Sequence, residues 1–385
     1  MQYRIAIFIS SILLLISPTV SAWNHHSTLT KLSLKNHPFI KYYPGFNVTE
    51  LNDVLKKIGG PDYTREKWLK ELNLNPNTPF DFVSHYEFGK TAKFKKPGET
   101  TTAMEVLINY SDEPDWGMDQ DLYFSKDQKY LGGYKGPTSQ AWRHMYLPRW
   151  NPLHPYITLH YPLKTLGVAP DRARVMADWS KLAFEAKDPY WGFRFLAWSL
   201  HYVQDMGQPF HSSLFPTLKF LDYKALFDKG FAESVKNTTQ RLANYHYTYE
   251  FYIDHQIQND LSPSSMGLNF RQSLIENSET ENSVRILSPE EAALKLNENA
   301  AMLAPSLGRF ILPFFGTGYL DPSIDIPNHI GEYYEEIIKP RVVPKSTEKE
   351  LQRVTVEALK RVGIATRAIV SWVDNQGFAT SEIGK

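Results

Sequence analysis

An all-α fold is what this sequence predicts, and three observations predict it. Apolar residues recur at three- and four-residue spacing through most long segments. No stretch alternates convincingly with period two, and the segments between are rich in Pro, Gly, Asn and Ser. There is no internal repeat. The residues with the strongest chemical character are spread along the chain, which favours one multi-helix domain over two.

Taken in order, Ser27 to Leu34 is a short helix opened by a Ser or Thr cap. Asn47 to Lys57 follows, with Val48, Leu51, Val54 and Leu55 at helical spacing, and then Arg65 to Leu72. Thr101 or Thr102 caps a helix to Tyr110, striped by Met104, Leu107 and Ile108. Residues 113–140 hold Gly, Pro, Asp and Lys and predict a loop excursion. Arg172 to Ala186 and Tyr190 to Asp205 are strong helices, the second with Phe193, Leu196, Leu200 and Val203 on its apolar face. Ser234 to Ile257 is another. Residues 258–290 are polar and predict a surface loop. Pro289 to Ile311 is helical with a breaker at Pro305, and Leu312 to Val343 is irregular. Lys349 to Val373 is a long final helix with Leu351, Val354, Leu359, Val362 and Ile364 among its apolar positions.

The first 22 residues have the form of a secretory signal. Arg4 supplies the positive start, and Ile5 to Ile16 is apolar apart from two serines. Pro18 and then Val20-Ser21-Ala22 give a small-residue cleavage site. An uncleaved N-terminal anchor is the alternative. Cleavage after Ala22 leaves Trp23 first in a mature chain of 363 residues, 385 minus 22. The expectation is a secreted or periplasmic protein, with residues 23–385 forming one catalytic domain with loop insertions near 113–140 and 258–345. There is no Cys, so disulfides cannot hold the chain. Its 42 basic residues equal its 42 acidic ones, which argues against a polyanionic partner. The 9 Trp, 22 Tyr and 22 Phe must line a core or a binding surface.

The most informative run is His201-Tyr202-Val203-Gln204-Asp205-Met206-Gly207-Gln208-Pro209-Phe210-His211. On a helix His201 and Asp205 point to one face. Gly207 and Pro209 break that helix, and His211 follows on the turn. A single such pair is more often a polar helix end than a metal site. A second pair, His246 and Glu250, has the same i, i+4 spacing on a predicted helix. Two pairs with His211 suit neighbouring zinc sites, because Zn2+ takes imidazole nitrogen and carboxylate oxygen in sets of about four. A terminal Trp23 would add its free amine and its carbonyl, and Trp23 is followed by Asn24, His25 and His26.

These residues together resemble the superfamily of zinc-dependent bacterial phospholipase C and single-strand-specific zinc nucleases. Its mature chains begin with a metal-binding Trp and carry a His-x3-Asp-x5-His run, then a His-x3-Glu or His-x3-Asp pair. The resemblance spans Trp23 to Glu250 and rests on motifs in order. It implies the all-α fold of that type and three Zn2+ ions. The implied ligands are Asp112, His144, His201 and Asp205 for one ion, and His211, His246 and Glu250 for the second. Trp23, His26 and a bridging Asp205 hold the third. His25 is the alternative to His26, and Asp115 to Asp112; His144 matches through the aromatic and Pro that follow it. Asp112 would orient the attacking water or take its proton. The seven other histidines, His37, His85 and His255 among them, are surface or hydrogen-bonded core residues.

The resemblance implies hydrolysis of a phosphodiester. Glu250 favours phospholipase C, since phospholipases of the superfamily carry Glu there and nucleases usually Asp. The expected partner is a phospholipid, with transient membrane-surface contact, nucleic acid less favoured and no obligate protein partner evident. The alternatives are a zinc nuclease or nucleotidase and, outside catalysis, a zinc-stabilised secreted binding protein. A free Trp23 amine carries a prediction of its own. Two residues left ahead of Trp23 turn that amine into an amide, a poor ligand. Zinc content and turnover should both fall, and recover when the chain is cut flush; equal values for the two chains would remove Trp23 from the ligand set.

Overall fold

The computed structural model describes residues 25–74, 95–115, 118–119, 143–147, 150–154, 157–160, 167–213, 215–276 and 288–377. The signal segment, Trp23, His85 and most of 113–140 lie outside the described residues, as do the side chains of His154 and His160.

The first helices include four that the sequence predicts and one, at Pro38–Tyr42, that it does not. They are α1 (His26–Ser33), α2 (Pro38–Tyr42), α3 (Leu51–Gly59), α4 (Arg65–Glu71) and α5 (Ala103–Tyr110). Thr64 caps α4 by accepting from Lys67 N–H. Thr102 and Glu105 form a reciprocal capping box at the start of α5. The segment from Asn47 predicted as helical begins as a strand instead. Here β1 (Phe46–Asn47) pairs antiparallel with β2 (Thr100–Thr101), and α3 starts only at Leu51. A second hairpin, β3 (Trp150–His154) and β4 (Ile157–His160), is irregular between Pro152 and His154. Both sheets are two-stranded, too short for a period-two pattern to stand out.

Next come α6 (Ala169–Glu185) and α7 (Pro189–Asp205), packed along one another. Every side chain of α7 from Tyr190 to Asp205 is buried, so this helix runs through the core rather than over it. Gly192 permits the close packing: a Cβ there would lie 2.7 Å from the Phe184 ring. Helix α7 ends at Asp205 as Gly207 and Pro209 predict, and Pro209 then opens the short α8 (Pro209–Ser212).

The second half holds α9 (Tyr223–Asp228), α10 (Phe231–Asn259), α11 (Met266–Ile275), α12 (Pro289–Phe315), α13 (Ile326–Ile338) and α14 (Lys345–Asn375). Three expectations are corrected here. The stretch 258–290 contains α11, capped by Ser265 and anchored by Phe270 and Leu274; its burial against α10 and α14 outweighs its polar composition. Pro305 does not stop α12, which continues through Pro305 and Pro313. Each proline costs roughly 3 kcal/mol inside a helix, but Ala301, Ala304, Leu307, Ile311 and Leu312 keep one stripe in the core on both sides of Pro305. The stretch 312–343 contains α13, capped by Asp325, held by buried Ile326 and Ile337, and kinked at His329.

One apolar cluster gathers around α3 to α7 and another around α10 to α14. The chain passes between the two several times, one passage running from Met206 to Phe210, and both belong to a single, almost entirely helical domain. The crossing from Met206 to Phe210 is where the chemically active residues meet.

A buried ion pair fixes one side of that crossing. Arg194 of α7 binds Glu113 with two nitrogens, Nε at 2.9 Å from Oε2, and stacks over Tyr110 at 4.0 Å. Trp198 Nε1 donates to the same carboxylate at 2.6 Å. This pins the one-turn 3-10 helix Glu113–Asp115 against α7. Glu113→Ala removes the carboxylate that chelates a buried guanidinium and should cost about 3–5 kcal/mol. Glu113→Leu combined with Arg194→Met should recover most of that. Urea midpoints of the single and double variants check it, and a double variant no more stable than Glu113→Ala would contradict it.

Candidate metal centre

Five separate segments deliver side chains to one buried volume. His26 is the first residue of α1, and Asp115 ends the 3-10 turn held by Arg194. His144 lies on the segment Arg143–Leu147, which pairs with α8 through Tyr146 N–H to the His211 carbonyl at 3.1 Å. His201 and Asp205 occupy the last two turns of α7, with His211 just beyond on α8. His246 and Glu250 lie one turn apart on α10. All eight are buried.

They form three clusters, each able to hold one metal ion: His26, Asp115 and His201; His144, His201 and Asp205; and His211, His246 and Glu250. Two clusters share His201. Its Nδ1–H donates to the Ser111 carbonyl at 2.7 Å, so only Nε2 remains as a ligand and it can serve one ion at a time. Asp205 removes the conflict, because its two oxygens face opposite ways. Oδ1 is 3.3 Å from His26 Nε2, while Oδ2 is 2.8 Å from His144 Nδ1 and 3.5 Å from His201 Nε2.

The wider separations suit zinc, and the closer ones, His144 Nδ1 to Asp205 Oδ2 at 2.8 Å and His246 Nε2 to Glu250 Oε1 at 2.7 Å, are hydrogen-bond distances that an ion would widen. Four ligands at about 2.1 Å in a tetrahedron lie about 3.4 Å from one another. Asp115 Oδ1 is 3.6 Å from both His144 Nδ1 and His201 Nε2, and His211 Nε2 is 3.9 Å from Glu250 Oε1. The side-chain atoms agree. His26 Nε2, His211 Nε2, Asp205 Oδ1 and Glu250 Oε2 are buried without a hydrogen-bond partner. Orphans of this kind are costly unless a cation takes their lone pairs.

The far side of several rings is fixed by other groups. His26 Nδ1 donates to Gln204 Oε1 at 2.9 Å, and Gln204 is oriented by its own donation to Thr30 and Thr366. His211 Nδ1 lies 4.0 Å from Asp205 and donates to the His144 carbonyl. His144 Nε2 faces Asp119 at 3.2 Å, and Asp119 is gripped by Arg143 and Tyr202. Gln208 donates to Glu250 Oε1 at 2.8 Å, the same oxygen that His246 Nε2 meets at 2.7 Å. These contacts fix tautomers and ring orientation so that the inward atoms carry lone pairs.

The electrostatics express the same demand for positive charge. Burial pushes the His26 and His144 imidazoles down, but the Asp205 carboxylate beside them outweighs it and holds them up at about 9 and about 10. Burial and the neighbouring imidazoles push His201 down, and His211 down to about 3. Burial also drives Asp205 upward, yet His201 and His144 hold it well below the usual carboxylate range. Burial raises Glu250. Without a metal, His26 and His144 must carry protons to neutralise Asp205; a metal cation supplies that charge instead.

The structure places the sequence-derived residues as follows. His26, His144, His201, Asp205, His211, His246 and Glu250 converge. Trp23 lies outside the described residues. His25, the alternative to His26, points to α10 and meets Asp254 at 2.7 Å. Asp112 accepts from Ser27 N–H at 3.2 Å, at the start of α1, while Asp115 stands among the imidazoles. His37 bonds Ser371 and His255 bonds Tyr334, both in hydrogen-bonded roles. Sequence reasoning did not single out Asp119, Gln204 or Gln208. The two glutamines sit inside the His201–His211 run, a signal of position only, and Asp119 had no signal.

Comparison with family models, curated proteins and solved structures returned no match. The geometry alone therefore carries the conclusion: a helical domain with three metal-binding clusters of the kind found in zinc-dependent hydrolases. Elemental analysis should find close to three zinc ions per chain, and chelation should lower the melting temperature. Asp205→Ala should remove more than one ion, whereas His255→Ala removes none. Acidification should release zinc as protons compete for His26 and His144. One ion per chain, or full zinc in Asp205→Ala, would contradict the arrangement.

Proposed function

We propose that the chain is a secreted zinc-dependent phospholipase C, which cleaves the phosphodiester of a glycerophospholipid to diacylglycerol and a phosphorylated headgroup. The observation that carries it is the buried Asp205, with one oxygen facing His26 and the other facing His144 and His201, beside the separate His211, His246 and Glu250 set. Three adjacent ions with N and O ligands are suited to phosphoryl chemistry, in which charge develops on several oxygens at once. Zinc held there supplies Lewis acidity toward phosphoryl oxygens and acidifies water at neutral pH.

The residues divide the work. Asp205, His201 and His144 would hold one ion; His26 and Asp205, with Trp23 if it is a free terminus, would hold another; His211, His246 and Glu250 would hold the third. Water adds to phosphorus, and the diacylglycerol oxygen leaves with a proton. With His26 and Asp205 holding the second ion, Asp115 is left beside the imidazoles as the carboxylate to take the proton of the attacking water. Asp112, which the sequence pattern put in that role, has one oxygen engaged by Ser27. Asp119 orients His144, and Gln208 orients Glu250.

Glu250 in the second pair and a formal net charge of +0 support a phospholipid over a nucleic acid. The zinc-loaded protein should hydrolyse phosphatidylcholine well above single-stranded DNA when the two are assayed side by side. Asp115→Asn should lose at least about 100-fold in turnover, with Asp112→Asn milder. Preference for DNA would establish the nuclease alternative. No hydrolysis of either at full zinc loading would leave a zinc-stapled binding protein.

A further inference from the structure

The helix α9 carries two exposed aromatic side chains that its neighbours do not cover. Tyr223 is 49% exposed and Phe227 84%, and at i, i+4 they share one face. Ala225 is buried and Leu226 half-buried, so α9 is held down by its other side. Lys219, Lys224 and Lys229, all exposed, flank the two rings in sequence and outnumber the one exposed acidic neighbour, Asp228. Beside Tyr223 lies an apolar groove of about 410 Å3, lined by Lys219, Leu221, Tyr223, Leu312, Pro313 and Leu320.

Exposed aromatics flanked by lysines suit one environment in particular. Rings of this kind partition into the boundary between headgroups and acyl chains, and each lysine near an anionic surface adds electrostatic attraction. The position fits as well. Phe220, which leads into α9, packs on Phe210 with ring centroids 6.3 Å apart. Phe210 in turn stacks on His246 at 5.1 Å and 11°. Phe220, three residues before Tyr223, thus links the start of α9 through Phe210 to a metal-binding imidazole. We infer that the α9 face, with Tyr223 and Phe227 inserted and Lys219, Lys224 and Lys229 at headgroup level, docks the protein on a bilayer carrying anionic phospholipid.

The choice of a bilayer as occupant rests on the phospholipase reading, and the test separates the two. The zinc-loaded full chain is sedimented with vesicles of phosphatidylcholine alone and of phosphatidylcholine with phosphatidylglycerol. In parallel, hydrolysis of a monomeric short-chain phosphatidylcholine is measured. The wild-type chain should sediment more strongly with anionic vesicles, and less so at high salt. Tyr223→Ala with Phe227→Ala, and separately Lys219→Glu with Lys224→Glu and Lys229→Glu, should each weaken sedimentation by at least about tenfold. Short-chain hydrolysis should stay at the wild-type level in both, and Leu261→Ala, an exposed apolar residue elsewhere, should change neither. A wild-type chain that stays in the supernatant overturns the docking proposal. So do variants that sediment like wild type, and so does a dimer in sedimentation velocity that the Tyr223 and Phe227 substitutions dissolve. Sedimentation without any phospholipid hydrolysis keeps the docking surface and removes the phospholipase reading instead.

Discussion

The structure depends on what becomes of Asp205. This carboxylate is fully buried at the end of a helix that is itself buried from Tyr190 onward. An ionised carboxylate in such a place is untenable alone, since desolvation costs several kcal/mol that only close positive charge offsets. Four imidazoles lie within 4.0 Å of it: His26, His144, His201 and His211. His26 and His144 come from distant places in the chain, and His201 and His211 from the run that carries Asp205 itself. The need to neutralise one carboxylate thus draws α1, the segment around His144, α7 and α8 to a single point. Glu250 repeats the arrangement on a smaller scale with His246 and His211.

Outside these groups, neutral side chains and a second layer of charge set direction rather than charge balance. Gln204 and Gln208 alternate with the ligands on the same short run, and each reaches a ligand on another element. Asp119 faces His144 while held by Arg143 and Tyr202, and Arg172 stands 3.6 Å away. The Arg194–Glu113 pair holds the turn that presents Asp115. Buried polar groups of this density are favourable only when they are satisfied, and His26 Nε2, His211 Nε2, Asp205 Oδ1 and Glu250 Oε2 are atoms of the metal-binding groups left for a cation to satisfy.

Much of this was legible in the sequence because helices write periodic patterns. His201 and Asp205, and His246 and Glu250, were found by i, i+4 spacing, and the helices carrying them were predicted within a few residues. The misses have physical causes. Pro305 reads as a stop because local propensity disfavours it, yet the apolar stripe on either side keeps α12 intact. Helix α11 is polar outward and depends on close approach: a Cβ at Gly267 would lie 2.0 Å from the Gln256 carbonyl oxygen, and one at Gly363 2.5 Å from that of Leu274. Asp112 and Asp115 are three residues apart around a 3-10 turn, and spacing cannot say which side chain the turn aims inward. Asp119 acts through His144, and a role of that kind has no periodicity to reveal it.

The absence of cysteine gives the metal clusters a structural consequence beyond chemistry. A disulfide stabilises by closing a loop in the unfolded chain, with an effect that grows slowly with loop length. An ion held between His26 and Asp205 would close a long loop from α1 to α7, and one shared by His211, His246 and Glu250 would tie α8 to α10. Because these ligands come together only in the folded chain, metal affinity is drawn from folding free energy. The two apolar clusters meet at this same place, where the chain passes from Met206 to Phe210. The metal centre therefore lies where the two halves of the core touch, and without its cations the charge of Asp205 there falls to protons on His26 and His144.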